Sequence, residues 1–171
     1  MGSRSQSVGA GFQRRIDALH ATYEARDLAH ILPRPETAVR QRGGGIAQYT
    51  RAVGADYSGV LRGGRGVALD AKSQASGGTF AIAPLVVRDA QWDDLRRTHA
   101  MGGLAFYALE VRGGPARGDY VIPWSWCDLA RAAGHTSVPI LGDRALGVLG
   151  PVPRGHDWLR VLVPSLLGRS L

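Results

Sequence analysis

The sequence predicts an α/β fold in which helices cover a β-sheet, and three observations carry that expectation. Phe12, Ile16, Leu19 and Tyr23 fall four, three and four residues apart, which places them on one face of an amphipathic helix. Short runs of strand character recur along the chain, separated by glycine-rich turns. Further helical stretches alternate with these runs, giving the order helix, strands, helix, strands, helix.

The first helix is predicted over Gly11 to Arg26. Asp27 to Leu32 reads as a strand, and Pro33-Arg34-Pro35 ends it by removing amide donors and holding the backbone extended. The pattern then dissolves as far as Val53. Arg34, Arg40, Arg42 and Arg51 punctuate a segment that contains Gly43-Gly44-Gly45, so residues 33 to 53 read as a mobile basic excursion. Asp56 to Leu61 and Val67 to Ser73 are strands joined by Arg62-Gly63-Gly64-Arg65-Gly66, a hairpin signal. Phe80 to Val87 is a further strand after Gly77-Gly78. Arg88 to Ala100 suits a helix with Ala90, Trp92 and Leu95 turned inward, ended by Gly102-Gly103. Leu104 to Val111 and Tyr120 to Ile122 pair across Gly113-Gly114-Pro115. A helix over Trp124 to Ala133 stops at Gly134, and His156 to Leu167 forms a last helix interrupted by Pro164.

Length and composition bound what such a fold can do. At 171 residues the chain suits a single domain with a sizeable core. Of its 21 basic residues only Lys72 is lysine, so the net charge of +7 rests on guanidinium groups, which favour bidentate phosphate contacts. Residues 1 to 65 carry a net charge of +5 and the remainder +2, so the positive field concentrates in the first helix, the excursion and the hairpin turn. Cys127 stands alone, which excludes an internal disulfide and a thiolate zinc site and suits a small buried hydrophobe. The five histidines show no close ligand spacing, and structural roles are expected for them. The start of the chain lacks the apolar core of a signal peptide, and no stretch approaches a membrane span, so a cytoplasmic protein with a polyanionic partner is expected.

The hairpin brings acids together. With a three-residue loop centred on Gly63, Asp56 faces Asp70, their Cβ atoms about 4.5 to 5.5 Å apart. Lys72, two residues beyond Asp70, points to the same face. Two carboxylates so placed can share a divalent cation with oxygen ligands at about 2.1 Å. Phosphodiester hydrolysis needs such a cation to neutralise developing charge and acidify water, and an ammonium beside it to meet the phosphate. An Asp-x-Lys pair is also commonplace on a solvated sheet face. Its coincidence with the sole lysine is what singles this one out. A P-loop ending in Lys72-Ser73 is excluded, because Ala71 stands where the glycine before the lysine belongs.

Asp56-Tyr57-Ser58-Gly59-Val60, a glycine turn and Asp70-Ala71-Lys72 together resemble the RecU-type Holliday-junction resolvases of the PD-(D/E)-x-K nuclease superfamily. Pro33-Arg34-Pro35 is similar to the family's Pro-Thr-Pro, Phe80 to Leu85 to its Phe-Pro-Leu segment, and Gln91 to its helix glutamine. Gly102-Gly103-Leu104-Ala105-Phe106 and Ser137-Val138-Pro139 extend the resemblance, in order, over most of residues 9 to 140. It implies a restriction-endonuclease-like mixed β-sheet flanked by helices, with residues 33 to 53 as a protruding basic stalk that enters the junction.

By that resemblance Asp56 and Asp70 are metal ligands, Lys72 stabilises the transition state, and Gln91 is a further metal-site or water-positioning residue. The implied cofactor is Mg²⁺, with Mn²⁺ as the alternative. Gln13, Arg14, Arg15, Arg40, Arg42, Arg51, Arg62 and Arg65 are the candidate nucleic-acid contacts, reading backbone shape rather than bases. The implied partner is four-way junction DNA. A homodimer is expected because two opposed nicks need two sites. Three departures stand out: Asp70 replaces the commoner Glu, Gly54 replaces a metal-site Thr, and Gln13 replaces a first-helix Glu. Two alternatives stay open: an inactive junction-binding module derived from a nuclease, and a related nuclease acting on other branched or duplex DNA.

Overall fold

The computed structural model describes residues 3–34, 37–39, 48–50, 54–83, 87, 89–142, 148, 150–152 and 157–162. The elements are, in chain order, α1 (Ser3–Ala25), β1 (Ala29–Pro33), β2 (Thr37–Val39), β3 (Gln48–Thr50), β4 (Tyr57–Leu61), β5 (Gly66–Gln74), β6 (Thr79–Ala81), α2 (Asp89–Ala100), β7 (Leu104–Val111), β8 (Gly118–Pro123), α3 (Trp124–Ala132), β9 (Ser137–Pro139) and α4 (Trp158–Leu162). The fold is α/β, as the sequence predicts. Its main sheet is mixed and five-stranded, in the order β1-β4-β5-β7-β8. All neighbours are antiparallel except β5 and β7, which run parallel because α2 lies in the crossover between them.

Each face of this sheet closes its own core. Phe12, Ile16 and Tyr23 of α1, with Trp158 and Leu159 of α4, cover Ile31, Tyr57, Leu61, Leu69, Phe106 and Val121. On the other face Trp92 and Leu95 of α2, Trp124 and Cys127 of α3 and Phe80 and Val138 cover Ala68, Tyr107, Leu109 and Ile122. The period-2 alternation of strand side chains therefore sorts residues between two layers. Tyr57 and Leu69 face α1, whereas Ala68 and Tyr107 face α2.

Several elements depart from the sequence expectation. Helix α1 begins at Ser3, two turns before its apolar stripe. Within α2, Gln91 is buried with Trp92 and Leu95, whereas Ala90 is exposed. Among the described residues of the strand expected over Phe80 to Val87, only Phe80 and Ala81 are strand, as part of β6, which pairs with β9 from far along the chain. In the excursion, β2 and β3 pair antiparallel from Thr37↔Thr50 to Val39↔Gln48, so part of it is a two-stranded ribbon. Arg40, Arg42 and Arg51 lie outside the described residues. Among the described residues, no helix is long and apolar enough to cross a membrane.

Candidate active site

The β4–β5 hairpin is closed by Gly63 and Gly64, whose positive φ values of 91° and 88° suit glycine. Leu61 N donates to Arg65 O, and the ladder runs Val60↔Gly66, Gly59↔Val67, Ser58↔Ala68 and Tyr57↔Leu69. One further step of this register sets Asp56 opposite Asp70, the pairing that a three-residue loop predicts. The backbone ladder stops there. The side chain of Asp56 takes over, its Oδ2 accepting the Ala71 N–H at 2.9 Å. Beyond this point β5 continues to Gln74 paired only with β7, so the two strands part at the acidic pair.

Asp70 points to the α2 face and has no exposed surface. Gln91 Nε2 donates to Asp70 Oδ1 at 2.7 Å, and the Lys72 ammonium lies 2.5 Å from Asp70 Oδ2. Lys72 Nζ also donates to Gln91 Oε1 at 3.3 Å. The glutamine amide thus bridges acid and base and fixes both. Burial and then the Asp56 charge push the Asp70 carboxyl up to about 7, against the opposing pull of Lys72. Its Oδ2 is buried without a hydrogen bond of regular geometry. An acid held this far from its ordinary range, beside a second carboxylate, is an acceptor for positive charge.

The donor set fits a hard divalent cation: two adjacent carboxylates, with the amide of Gln91 beside them, its oxygen turned to Lys72 in this structure. Among the described residues no group of three or more His, Cys, Asp or Glu side chains converges, so neutral oxygens would complete the coordination. Asp56, Asp70, Lys72 and Gln91 are therefore brought together.

The predicted nucleic-acid contacts are more scattered. Gln13 and Arg14 are exposed on α1, and the Gln13 carbonyl accepts the Tyr57 hydroxyl at 3.4 Å. Arg15 bonds Glu110 Oε1 at 2.5 Å and approaches Asp119 at 4.0 Å, which fastens α1 across the ends of β7 and β8. Arg62 and Arg65 are exposed at the hairpin turn, and Arg65 Nε donates to Gly102 O at 2.9 Å, at the end of α2.

Three residues beside the carboxylates escaped sequence reasoning. Asp94 Oδ2 accepts the Ala55 N–H at 3.0 Å and Arg34 Nη1 at 2.8 Å, while Arg34 Nε donates to Ser58 Oγ at 2.9 Å. Asp94 lies three residues after Gln91, on the same helix face, a spacing that could have flagged it. This ion pair also accounts for Gly54. A Cβ there would lie 2.6 Å from Arg34 Nη1 and 3.0 Å from Asp94 Oδ2, and φ is 121°. The glycine at position 54 therefore leaves room for the Arg34–Asp94 pair. Tyr107 is the third. It neighbours Asp70 in the parallel register, with a buried hydroxyl that has no hydrogen-bond partner among the described residues.

Away from the site, Cys127 is fully buried and its thiol is pushed up to about 12 by burial, which makes it inert packing. His20 is buried too, edge-on to Tyr57 and Trp158, rather than solvent-facing, and its ring nitrogens have no hydrogen-bond partner among the described residues.

No protein-family model and no curated protein matches the chain. Among solved structures it is similar to Archaeoglobus fulgidus Hjc, a Holliday junction resolvase from an archaeal hyperthermophile. The two are 14% identical, and the match covers 66% of this chain and 77% of that one with a TM-score of 0.37.

Proposed function

We propose that this protein is a divalent-metal-dependent, structure-selective endonuclease that cuts four-way DNA junctions as a homodimer. The observation that carries the proposal is Asp70, fully buried and raised in pKa where β4 and β5 part, with Asp56, Gln91 and the chain's sole lysine around it. Asp56 and Asp70 would hold the cation. When bound, it supplies charge neutralisation at the scissile phosphate and a more acidic water. Lys72 presents a compact ammonium at the rim, 21% exposed, where it meets the phosphate. Gln91 orients Asp70 and Lys72 and keeps the acid turned toward the site. Arg62 and Arg65 at the hairpin turn would supply sequence-independent phosphate contacts, with Arg40, Arg42 and Arg51 of the basic excursion as further candidates by sequence.

A mobile four-way junction incubated with the protein and Mg²⁺ tests the reading. Paired nicks at symmetric positions, lost in Lys72→Ala, are expected. The second reading, an inactive junction-binding module, is motivated by the neutral Gln13 and by Gly54; binding without cleavage under Mg²⁺ and Mn²⁺ would favour it.

A further inference from the structure

We infer that Arg34, held by Asp94 and Ser58, is a positioning residue that grips the phosphate next to the scissile one on the same DNA strand. The inference rests on the nuclease reading above and names a contact within it. Ser58 follows Asp56 by two residues, about 7 Å along an extended chain, and the guanidinium spans from Ser58 to Asp94 and the backbone at Gly54 and Ala55, so it flanks the acidic pair at an offset of at most that order. That offset is comparable to the separation of successive phosphates on one nucleic-acid strand. The Arg34 backbone is pinned as well, its N–H donating to Asp56 O at 2.8 Å, so guanidinium and acidic pair are registered to each other through both main chain and side chain.

Among the described residues the contacts of this guanidinium use Nε and Nη1, which leaves Nη2 for a ligand. The side chain is 34% exposed and forms a wall of an open trough of about 550 Å³. Ser58, Gly59, Gly66, Thr98 and Gly103 contribute to the same trough. Gly66 opens the trough toward the hairpin, a Cβ there meeting nothing within 4 Å, whereas Gly59 and Gly103 are held as glycine by close contacts to His30 and to Thr98 and Gly66. Asp94 does not cancel this role. It fixes the plane of the fork while its own charge is shared with the Ala55 N–H, and a pre-oriented guanidinium loses less freedom on meeting a phosphate oxygen.

The test is a methylphosphonate scan of a four-way junction, with one phosphate neutralised at a time on either side of the mapped cut, against wild type and Arg34→Met. In wild type, neutralising the adjacent phosphate should raise KM about tenfold with a smaller change in kcat, the scale of one lost charged contact. In Arg34→Met the same neutralisation should add less than twofold, while neutralisation elsewhere keeps its wild-type effect. Asp94→Asn, which keeps the cation but loosens its aim, should show an intermediate response at the same position, and it decides the matter if Arg34→Met does not fold. Equal, additive losses in variant and wild type at every position would overturn the inference and leave the nuclease reading standing. Absence of cleavage by wild type would overturn both.

Discussion

Replacing Asp70 by Asn should abolish metal-dependent cleavage yet make the metal-free protein more stable at alkaline pH. The carboxyl is raised from 3.8 to about 7, first by burial and then by the Asp56 charge. A group whose pKa rises on folding favours the native state only while it is protonated: the contribution is full below 3.8 and is lost as pH rises through about 7. Holding Asp70 ionised at pH 8 therefore costs on the order of 4 kcal/mol, for about three pKa units at about 1.4 kcal/mol each. Asparagine removes that cost but also leaves Lys72 without its carboxylate, which offsets part of the gain. We expect a net stabilisation of about 2 kcal/mol, or roughly 4 to 8 °C in Tm for a chain of this size. The assay is guanidinium unfolding of both proteins in EDTA at several pH values, because the difference between them cancels the titrating groups that do not touch Asp70. The gap should be widest at pH 8, shrink by pH 5 and close near pH 4. A variant no more stable than wild type at pH 8, or a gap independent of pH, would refute the reasoning.

Lys72→Ala should lower the cleavage rate by about 10²-fold or more, the scale of removing one preorganised charge from a transition state. Junction affinity in a gel-shift assay should stay within about threefold, since phosphate contacts elsewhere supply the binding. His20 bears on acid stability with the opposite sign to Asp70. Burial lowers it from 6.5 to about 4, so its contribution is full above pH 6.5 and is lost as pH falls toward 4, by on the order of 3 kcal/mol. His20→Phe should flatten the acid limb of a pH–stability curve, and an unchanged limb would count against the buried placement. Gly54→Ala combines a positive φ with a Cβ 2.6 Å from Arg34 Nη1, so we expect a loss of about 1 to 3 kcal/mol in denaturant unfolding.

Much of the site was legible because it is local. The Gly63-Gly64 turn fixes the hairpin register, and the register alone sets Asp56 against Asp70 with Lys72 on the same face. Gln91 came from the family resemblance, and its burial follows from a helix that must cover the sheet. What escaped needed tertiary placement. Asp94 and Arg34 are sixty residues apart and meet only because α2 packs back against β5 and β7, which brings Asp94 to the residues that lead into β4. Tyr107 stands beside Asp70 through a parallel pairing whose register no turn dictates. The β6–β9 pair was missed because three-residue strands carry too little pattern to distinguish from loop. Arg15 illustrates the converse: composition marks it as a phosphate contact, and only the fold shows that Glu110 and Asp119 already engage it.

Cleavage of an end-labelled mobile four-way junction tests most directly the assignment of Asp56, Asp70, Lys72 and Gln91 as a metal-dependent nuclease centre. With Mg²⁺ or Mn²⁺ the wild-type protein should give two symmetric nicks, EDTA should abolish them, and Asp56→Asn and Asp70→Asn should each do the same while still binding the junction. Junctions left intact by wild type under both metals, or nicked undiminished in EDTA or by the Asp70 variant, would contradict it.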